Sequence, residues 1–271
     1  MPEIIVSTAI GCGYDLETAL QRVRSVGAKK VDLLAVHGFA HVDPLALADR
    51  PRQTLERLGS RLMAANVTAR CLNSGFSAAF EDRSETAIGQ RAREAGGVLA
   101  AMKQFGLSTA VFETNLHGDG RPWSEEDQRL CMDSIEEVLA LAQADGRTLA
   151  LELHERTAFE TPRQIERLLD RFPEIPLAYD PTHLVAQGVP LKETAPLLRR
   201  AAVCHLRDAA AGKIQTPFGD GEIDFDWVSG ELESTGFNGP IVIEYLGFGD
   251  DTPFVVESSK RLYELLLKRF S

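Results

Sequence analysis

Four short apolar runs in the second half of the chain each end on a residue whose side chain can bind a metal ion. The runs are Leu149–Glu152, Pro176–Asp180, Ala202–His205 and Pro240–Glu244. A buried strand is normally apolar along its whole length, so an acid or an imidazole at the last position of each run is informative. In a barrel of parallel strands, the carboxyl ends of the strands face one common mouth. We therefore expect three carboxylates and one imidazole to meet at that mouth.

A divalent metal ion is the chemistry that this set of side chains favours. Buried charges that lack a partner are costly, and a divalent cation offsets that cost. Oxygen-rich coordination with one imidazole suits Mn²⁺, and it also suits Mg²⁺, Co²⁺ and Zn²⁺. Each residue alone would more simply be a helix N-cap or a member of a structural ion pair, but together they predict one metal ion, with Mn²⁺ as the first choice. The predicted ligands are Glu152, Asp180, His205 and Glu244.

Three more polar residues follow these strand ends and could contact a substrate. His154 lies two residues beyond the first end, so strand alternation places it on the same face as the ligand. His183 lies just past the second end, where it could hydrogen-bond a substrate hydroxyl or carbonyl oxygen, or support a metal ligand. Arg207 lies just past the third end. Its guanidinium could hold a substrate oxyanion or carboxylate, or only pair with Asp208 or another nearby acid.

The first four predicted strands are followed by polar residues of the kind that a sugar-binding rim would use. They are His37, His41, Asn73, Glu113, Asn115 and His117. Loops are polar in any protein, so each of these alone is more simply an ordinary loop residue. Three aromatic residues, Phe76, Trp123 and Phe218, could pack on the apolar face of a sugar or belong to the core, and the sequence favours neither interpretation.

Strand-like and helix-like segments alternate about eight times, and these elements would position the residues named above. Strands separated by helices imply parallel pairing through right-handed crossovers. Eight such units favour a closed barrel over an open doubly wound sheet, and 271 residues suit a fold of about 250. The first turn, residues 9–15, contains only part of a glycine-rich phosphate loop, so no dinucleotide site is predicted. The predicted fold is α/β, a single (β/α)8 TIM barrel domain over residues 1–271.

Capping residues predict several helix bounds. Asp15 is a plausible N-cap for a helix that stops at Gly27. A second helix is predicted to begin at Asp43, with proline at its first helical position, and to run to about Ala65. Ser124 precedes three acidic residues, a pattern typical of an N-cap and a first helical turn.

Composition and charge exclude several classes of partner. The formal net charge is −11, which is opposite to the basic surface that a nucleic-acid backbone or an anionic membrane surface attracts. No apolar stretch approaches the roughly 20 residues of a membrane span, and the N-terminus lacks the pattern of an export signal. The four cysteines are far apart with no C-x-x-C pair, which excludes a zinc ribbon or a thioredoxin-type motif. These features predict a cytoplasmic protein without a nucleic-acid or membrane partner.

Five segments, taken in order, resemble the xylose isomerase-like TIM-barrel superfamily and, more closely, its sugar phosphate isomerase/epimerase group. They are Leu149–His154, Tyr179–His183, Val203–Asp208, Phe218–Phe225 and Ile241–Tyr245. The resemblance covers nearly the whole chain, although its specific motifs lie within residues 149–245. It implies one divalent metal ion held by the four strand-end residues, and contact between His183 and the substrate. Barrels of this group are often dimers or tetramers, so a homodimer or a homotetramer is implied as well.

The resemblance also bears on the roles of individual residues. In the epimerases of the group, the two metal-binding glutamates act as acid and base on opposite faces of the substrate, which implies these roles for Glu152 and Glu244. Relatives often carry lysine where this chain has Arg207. Arginine cannot act as a proton-transfer lysine and favours bidentate oxyanion binding, so a lysine-based step does not carry over. The DNA-cleaving branch has a basic surface that the net charge of −11 contradicts.

Three functions follow, and the sequence ranks them. The main hypothesis is a metal-dependent isomerase or epimerase of a small sugar or polyol-derived carbonyl compound, acting through an enediolate. The alternative is a lyase or dehydratase on the same site, in which the enediolate expels water or a glycosidic oxygen and His183 or His154 is the acid. A non-catalytic sugar-binding barrel is the weakest, since all four predicted ligands are present. No cluster of lysine and arginine marks a phosphate site, which favours an unphosphorylated substrate.

Overall fold

Eight parallel strands close into a barrel and helices cover its outside, which confirms the predicted (β/α)8 fold. A computed structural model describes residues 1–116, 121–249 and 253–270. The first barrel strand pairs in parallel with the last one, through Ile4 and Ile241, and also with the second, through Val6 and Val31. These two pairings close the sheet. Among the described residues, no helix combines the length and the apolar character that a membrane crossing requires.

The barrel strands are three to eight residues long. They are Glu3–Ser7 (β1), Lys30–Val36 (β2), Thr68–Gly75 (β4), Thr109–Glu113 (β5), Thr148–Glu152 (β6), Leu177–Tyr179 (β7), Ala201–Leu206 (β8) and Pro240–Ile243 (β9). One further strand, Ala40–His41 (β3), folds back antiparallel on β2. This short hairpin was not predicted from the sequence, and its turn carries residues of the barrel mouth.

Helices follow most of the strands and pack outside them. They are Leu16–Val26 (α1), Pro44–Asp49 (α2), Pro51–Ala64 (α3), Glu85–Phe105 (α4), Glu125–Ala144 (α5), Pro162–Arg171 (α6), Thr182–Ala186 (α7), Ala195–Leu198 (α8), Phe225–Ser234 (α9) and Val255–Arg269 (α10). The predicted caps of α1 are confirmed, because the Asp15 carboxylate accepts the Thr18 N–H and Gly27 has a φ of 98°. Ser124 caps α5 in a reciprocal capping box with Asp127.

One helix prediction was wrong, because the stretch from Asp43 to Ala65 contains two helices instead of one. The break lies at Arg50, whose φ of −139° and ψ of 56° are not helical. Pro51 explains it, since the proline ring disfavours the helical conformation of the preceding residue and supplies no N–H donor. The second helix then begins on Pro51, a position where the missing donor costs nothing.

A layer of small apolar side chains fills the barrel below its mouth. Its members are Ile5, Cys71, Val111, Ala150, Ala178, Val203 and Val242. Each predicted metal ligand lies two residues after a member of this layer on the same strand or its extension. Alternate residues of a strand point to the same side, so the four ligands must also point into the barrel, one level higher.

Candidate metal and substrate site

The structure brings the four predicted ligand residues together at the C-terminal mouth of the barrel. Glu152 ends β6, Asp180 follows β7 directly, His205 lies near the end of β8, and Glu244 follows β9. One potential ligand atom from each residue lies within 4.8 Å of the others, and all four residues are buried. Four consecutive strands therefore build a cluster that is compact enough for a single ion.

His205 and Asn73 hold the two glutamates of the cluster side by side. Nδ1 of His205 lies 2.9 Å from Oε1 of Glu152 and 3.1 Å from Oε2 of Glu244. Nδ2 of Asn73 donates to Oε1 of Glu244 at 2.9 Å and, over a longer 3.4 Å, to Oε2 of Glu152. Asn73 belongs to β4, so this amide connects the cluster to the opposite part of the barrel wall.

Arg207 is a buried part of the cluster and does not pair with Asp208. Its side chain is 2% exposed, and its Nη1 and Nη2 lie 3.0 Å from Oε2 of Glu244 and 3.0 Å from Oδ2 of Asp180. Its Nε also donates to the backbone carbonyl of Ile214 at 3.0 Å. The guanidinium is therefore held by two predicted metal ligands and by the loop after β8, and it is positioned before any substrate arrives.

Asp208 has a structural role in that loop. Its carboxylate accepts backbone N–H donors from Ala209 at 3.0 Å, from Gly219 at 2.8 Å and from Gly221 at 3.1 Å. A Cβ on Gly221 would lie 2.0 Å from Oδ1 of Asp208, so only glycine fits this approach. The buried carboxylate thus organises the long loop between β8 and α9.

His183 and His154 form a close pair beside Arg207, with their ring planes tilted by 42°. Their ring centroids are 3.9 Å apart. Nδ1 of His154 lies 2.7 Å from the carbonyl oxygen of Glu155, so this nitrogen carries the proton. Nη2 of Arg207 lies 3.1 Å from Nε2 of His183, which must accept because a guanidinium can only donate. Burial, together with the neighbouring His154, lowers the pKa of His183 well below its usual value, so this imidazole is neutral.

The electrostatics of the cluster fit a divalent cation. Burial alone would raise the pKa of Asp180, but Arg207 lowers it to about 2. Burial alone would lower the pKa of His205, but Glu244 and Glu152 raise it well above its usual value. Oδ2 of Asp180 receives no well-directed hydrogen bond from the described residues, despite its contact with Arg207, and Nε2 of His205 has no hydrogen-bond partner among them. With His205 neutral, as a metal-binding imidazole must be, three carboxylates and one guanidinium leave two negative charges, which a doubly charged cation would balance.

Two further acids, one half-buried and one fully buried, belong to the site region. Glu113 ends β5 in register with Glu152 and is half-buried at the cavity wall, where burial raises the pKa of its carboxyl to about 7. Asp32 of β2 is fully buried inside the barrel and accepts the hydroxyl of Ser7 at 2.7 Å. Burial raises the pKa of Asp32 to about 6. The sequence analysis missed Asp32, although an acid inside an otherwise apolar run was an available signal.

A cavity of about 450 Å³ opens onto the cluster. Its polar lining consists of His37, Asn73, Glu113, Asn115, Glu152, His154, His183, Arg207 and Glu244. Its apolar lining consists of Leu34, Val36, Phe39, Phe76, Leu116, Ile214, Leu246 and Phe248. The three residues predicted to bind substrate, His154, His183 and Arg207, all face this cavity. Phe39, Leu116, Ile214, Leu246 and Phe248 were not anticipated, because apolar residues in loops resemble core residues in a sequence.

Several residues that were considered for the rim lie elsewhere. His41 places its Nε2 3.0 Å from the carbonyl oxygen of Gly11, away from the cavity lining. Trp123 is buried and donates its indole N–H to a backbone carbonyl at 2.9 Å. Phe218 stacks on Phe225 outside the barrel mouth. His117 lies outside the described residues.

The closed barrel and the cluster at its strand ends identify the class of protein: the chain belongs to the xylose isomerase-like TIM barrel family, whose model matches residues 11–265. An inosose dehydratase of Geobacillus thermodenitrificans is 28% identical over 169 residues, which cover 54% of this chain and 56% of that enzyme. The chain therefore spans about half the length of the curated relatives it matches.

Solved structures extend the likeness of the fold over the whole chain. A xylose isomerase-like TIM barrel protein from Mycobacterium smegmatis, solved in complex with magnesium, has a TM-score of 0.74 at 16% identity, covering 100% of this chain and 98% of that one. An L-ribulose 3-epimerase has a TM-score of 0.70 at 14% identity, covering 99% and 94%. At these identities the similarity concerns the fold.

Proposed function

We propose that this protein is a divalent-metal-dependent isomerase or epimerase of a small sugar or polyol-derived carbonyl compound. The observation that carries the proposal is the buried cluster of three carboxylates and one imidazole, whose ligand atoms lie within 4.8 Å of one another beside a cavity. The proposed metal ligands are Glu152, Asp180, His205 and Glu244. An epimerase among proteins of the same fold is consistent with this chemistry.

The proposed reaction is a proton transfer at the carbon next to a carbonyl group. A bound divalent ion supplies Lewis acidity, which makes that C–H bond more acidic. Glu152 and Glu244 both line the cavity, so their carboxylates can reach a bound substrate. One of them removes the proton to leave an enediolate, and the other returns a proton on the opposite face. Asn73 donates to both carboxylates, which keeps their separation fixed before the substrate binds.

Arg207, His183 and His154 are proposed to bind the oxygen atoms of the substrate. All three line the cavity and are joined by short contacts, so they form one preorganised polar surface. Such rigidity favours catalysis, because polar groups that are already oriented need no rearrangement when charge develops on the substrate. The guanidinium would stabilise an oxyanion, and the imidazoles would bind neighbouring hydroxyl groups.

Mn²⁺ is the proposed ion, and the donor set also suits Mg²⁺, Co²⁺ and Zn²⁺. A magnesium complex of a protein with the same fold supports a divalent ion without selecting manganese. The family resemblance also leads us to propose a homodimer or a homotetramer, which sedimentation analysis of the purified protein distinguishes from a monomer.

An elimination at the same site is the second candidate, and the inosose dehydratase relatives favour it. The same base would remove the proton next to the carbonyl. The electron pair would form a C=C bond as the bond to the β-oxygen breaks, and an acid would protonate that oxygen so that it leaves as water or an alcohol. Glu113 suits this acid better than His183, since the pKa of Glu113 is raised to about 7 whereas His183 accepts a hydrogen bond from Arg207.

The first test is the metal content of the purified protein and of the His205→Ala variant. We expect about one divalent ion per chain in the wild type and a large loss in His205→Ala. His41→Ala is the matched control, because His41 does not line the cavity and should leave the metal content unchanged. A wild-type protein that takes up no ion from excess Mn²⁺ or Zn²⁺ contradicts the proposal.

The second test incubates the metal-loaded protein with neutral keto sugars and keto cyclitols in D₂O. Isomerisation or epimerisation conserves the mass of the substrate apart from incorporated deuterium, whereas elimination releases water or an alcohol. Binding without deuterium incorporation at any substrate carbon contradicts both catalytic candidates and supports a non-catalytic barrel.

A further inference from the structure

The cavity that holds the cluster has a second, apolar surface that the proposed proton transfer does not use. We call it the apolar wall. It consists of Phe39, Phe76, Leu116, Ile214, Leu246 and Phe248. These residues come from the hairpin after β2 and from segments that follow β4, β5, β8 and β9, so the wall belongs to the mouth of the barrel rather than to its core.

Three residues of the apolar wall are exposed although they are large and apolar. Phe39 is 47% exposed, Phe248 is 43% exposed and Leu116 is 40% exposed. The rings of Phe39 and Phe248 contact each other edge to face, with centroids 6.0 Å apart. A single exposed apolar residue needs no explanation, but several around one cavity mark a surface that a ligand covers.

The charges of the cavity disfavour an anionic ligand. Among its described lining residues, Arg207 is the only lysine or arginine, and its guanidinium already contacts Asp180 and Glu244. Two more acids, Glu113 and Glu152, line the same cavity. The metal ion and Arg207 would be taken up by the reacting oxygen atoms, so a phosphate or carboxylate group elsewhere on the substrate would meet acids with no further lysine or arginine among the described lining residues, whereas a neutral substituent would not.

We propose that the substrate is a neutral hydroxy-carbonyl compound that carries an aromatic substituent, as an aryl glycoside of a keto sugar does. This inference rests on the proposed function, because the hydroxy-carbonyl part must face Glu152 and Glu244. The aromatic ring then packs against Phe39 and Phe248, where an edge-to-face aromatic pair offers further aromatic contacts. The substituent covers the apolar wall more fully than a free sugar would, since a free sugar carries hydroxyl groups around its whole ring.

The test compares neutral and charged probes that differ only in their substituents. Calorimetry measures the binding of the 3-keto forms of methyl β-D-glucopyranoside, phenyl β-D-glucopyranoside and the anionic phenyl β-D-glucuronide to the Mn²⁺-loaded protein. We expect the phenyl glucoside to bind at least about tenfold more tightly than the methyl glucoside, and the glucuronide to bind more weakly than the phenyl glucoside. Equal affinities of the two glucosides, tighter binding of the glucuronide, or no measurable binding of the phenyl glucoside would each overturn the inference.

Two substitutions then test whether the apolar wall causes the preference for the phenyl group. Phe39→Ala and Phe248→Ala should each remove most of the preference for the phenyl group while the metal content stays at its wild-type value. Leu267→Ala is the matched control, since Leu267 is also 43% exposed but lies on α10. A phenyl preference that survives both phenylalanine variants overturns the inference. If the wild type binds the metal ion but shows no phenyl preference, only the aromatic substituent is rejected. If the wild type binds no metal ion, the proposed function is rejected as well.

Discussion

The two halves of the barrel mouth differ in chemistry. The half formed by β6 to β9 supplies three carboxylates, an imidazole and a guanidinium, all buried and in mutual contact. The half formed by β1 to β5, together with the loops that follow β8 and β9, supplies the apolar wall, one bridging amide and two acids whose pKa values are raised. Under the proposed function, the first half, which we call the charged half, would hold the reacting atoms, and the second, which we call the apolar half, would select the molecule to which they belong.

The largest expected effect is on turnover when either glutamate of the charged half loses its ability to transfer a proton. Glu152→Gln and Glu244→Gln should each lower kcat by about 10²–10⁴, the usual contribution of a positioned acid or base. Deuterium exchange separates the two roles. The variant that lacks the base loses exchange of the substrate proton, and the variant that lacks the acid keeps exchange but forms little product.

The same variants test whether the proton-transferring residues belong to the charged half. Circular dichroism and metal content provide the controls, because both variants should remain folded. Near-normal turnover in both would show that neither glutamate is the base, and Glu113 of the apolar half would then be the next residue to test.

The second effect is on stability, and it concerns the guanidinium of the charged half. Arg207→Met leaves Asp180 and Glu244 buried without their cation, so the metal-free variant should unfold with a free energy about 3–5 kcal/mol lower than that of the wild type. Added Mn²⁺ should reduce this loss, because the ion would supply the missing positive charge. Urea unfolding with and without Mn²⁺ measures both quantities.

A substitution of a surface arginine provides the control for that experiment. Arg93→Met removes an exposed ion pair with Asp49 and should leave the free energy of unfolding nearly unchanged in both conditions. If Mn²⁺ does not reduce the loss caused by Arg207→Met, the carboxylates beside Arg207 are not metal ligands.

The third effect is on the pH dependence of stability, and it concerns Asp32, a buried acid of the apolar half. Burial raises the pKa of Asp32 to about 6, so its contribution to stability is complete below the unfolded-state pKa near 4 and is lost as the pH rises through 6. Asp32→Asn removes this titration. Relative to the variant, the wild type should therefore lose about 2 kcal/mol of unfolding free energy between pH 4.5 and pH 7.5. Urea unfolding of both metal-free proteins at these two pH values gives the difference, and equal pH dependence would mean that Asp32 ionises at its ordinary pKa.

The sequence revealed the charged half far better than the apolar half, and the reason is physical. An acid or an imidazole at the end of an apolar run is rare in a buried strand, so Glu152, Asp180, His205 and Glu244 were conspicuous. Phe39 and Phe248 have no comparable signal, because an apolar residue near a strand end is most simply a core residue. Only the closed barrel and the short hairpin after β2 place these two rings over one cavity.

In the fold as well, features that follow from a regular sequence pattern could be predicted, whereas features that depend on local side-chain contacts could not. The eight alternating strand and helix segments predict the barrel. Hydrophobic periodicity alone would continue a single helix through Arg50, but Pro51 divides it into α2 and α3. The partners of Arg207 could not be predicted, because pairing with Asp180 and Glu244 instead of Asp208 depends on side-chain positions across three strand ends. Asp208 turns instead to the backbone of its own loop.

The smallest effect tests Asn73, which joins the two halves by direct hydrogen bonds to both glutamates. Asn73→Ala should leave the metal ligands in place but let their carboxylates move. A hydrogen bond to a charged group contributes about 1.5 kcal/mol or more, so we expect a decrease of roughly tenfold in kcat with little change in KM. Asn73→Asp should do more harm, since it adds a fourth acid beside Glu152 and Glu244. Unchanged kcat in Asn73→Ala would show that the charged half is rigid without support from β4, and the two halves would then act independently.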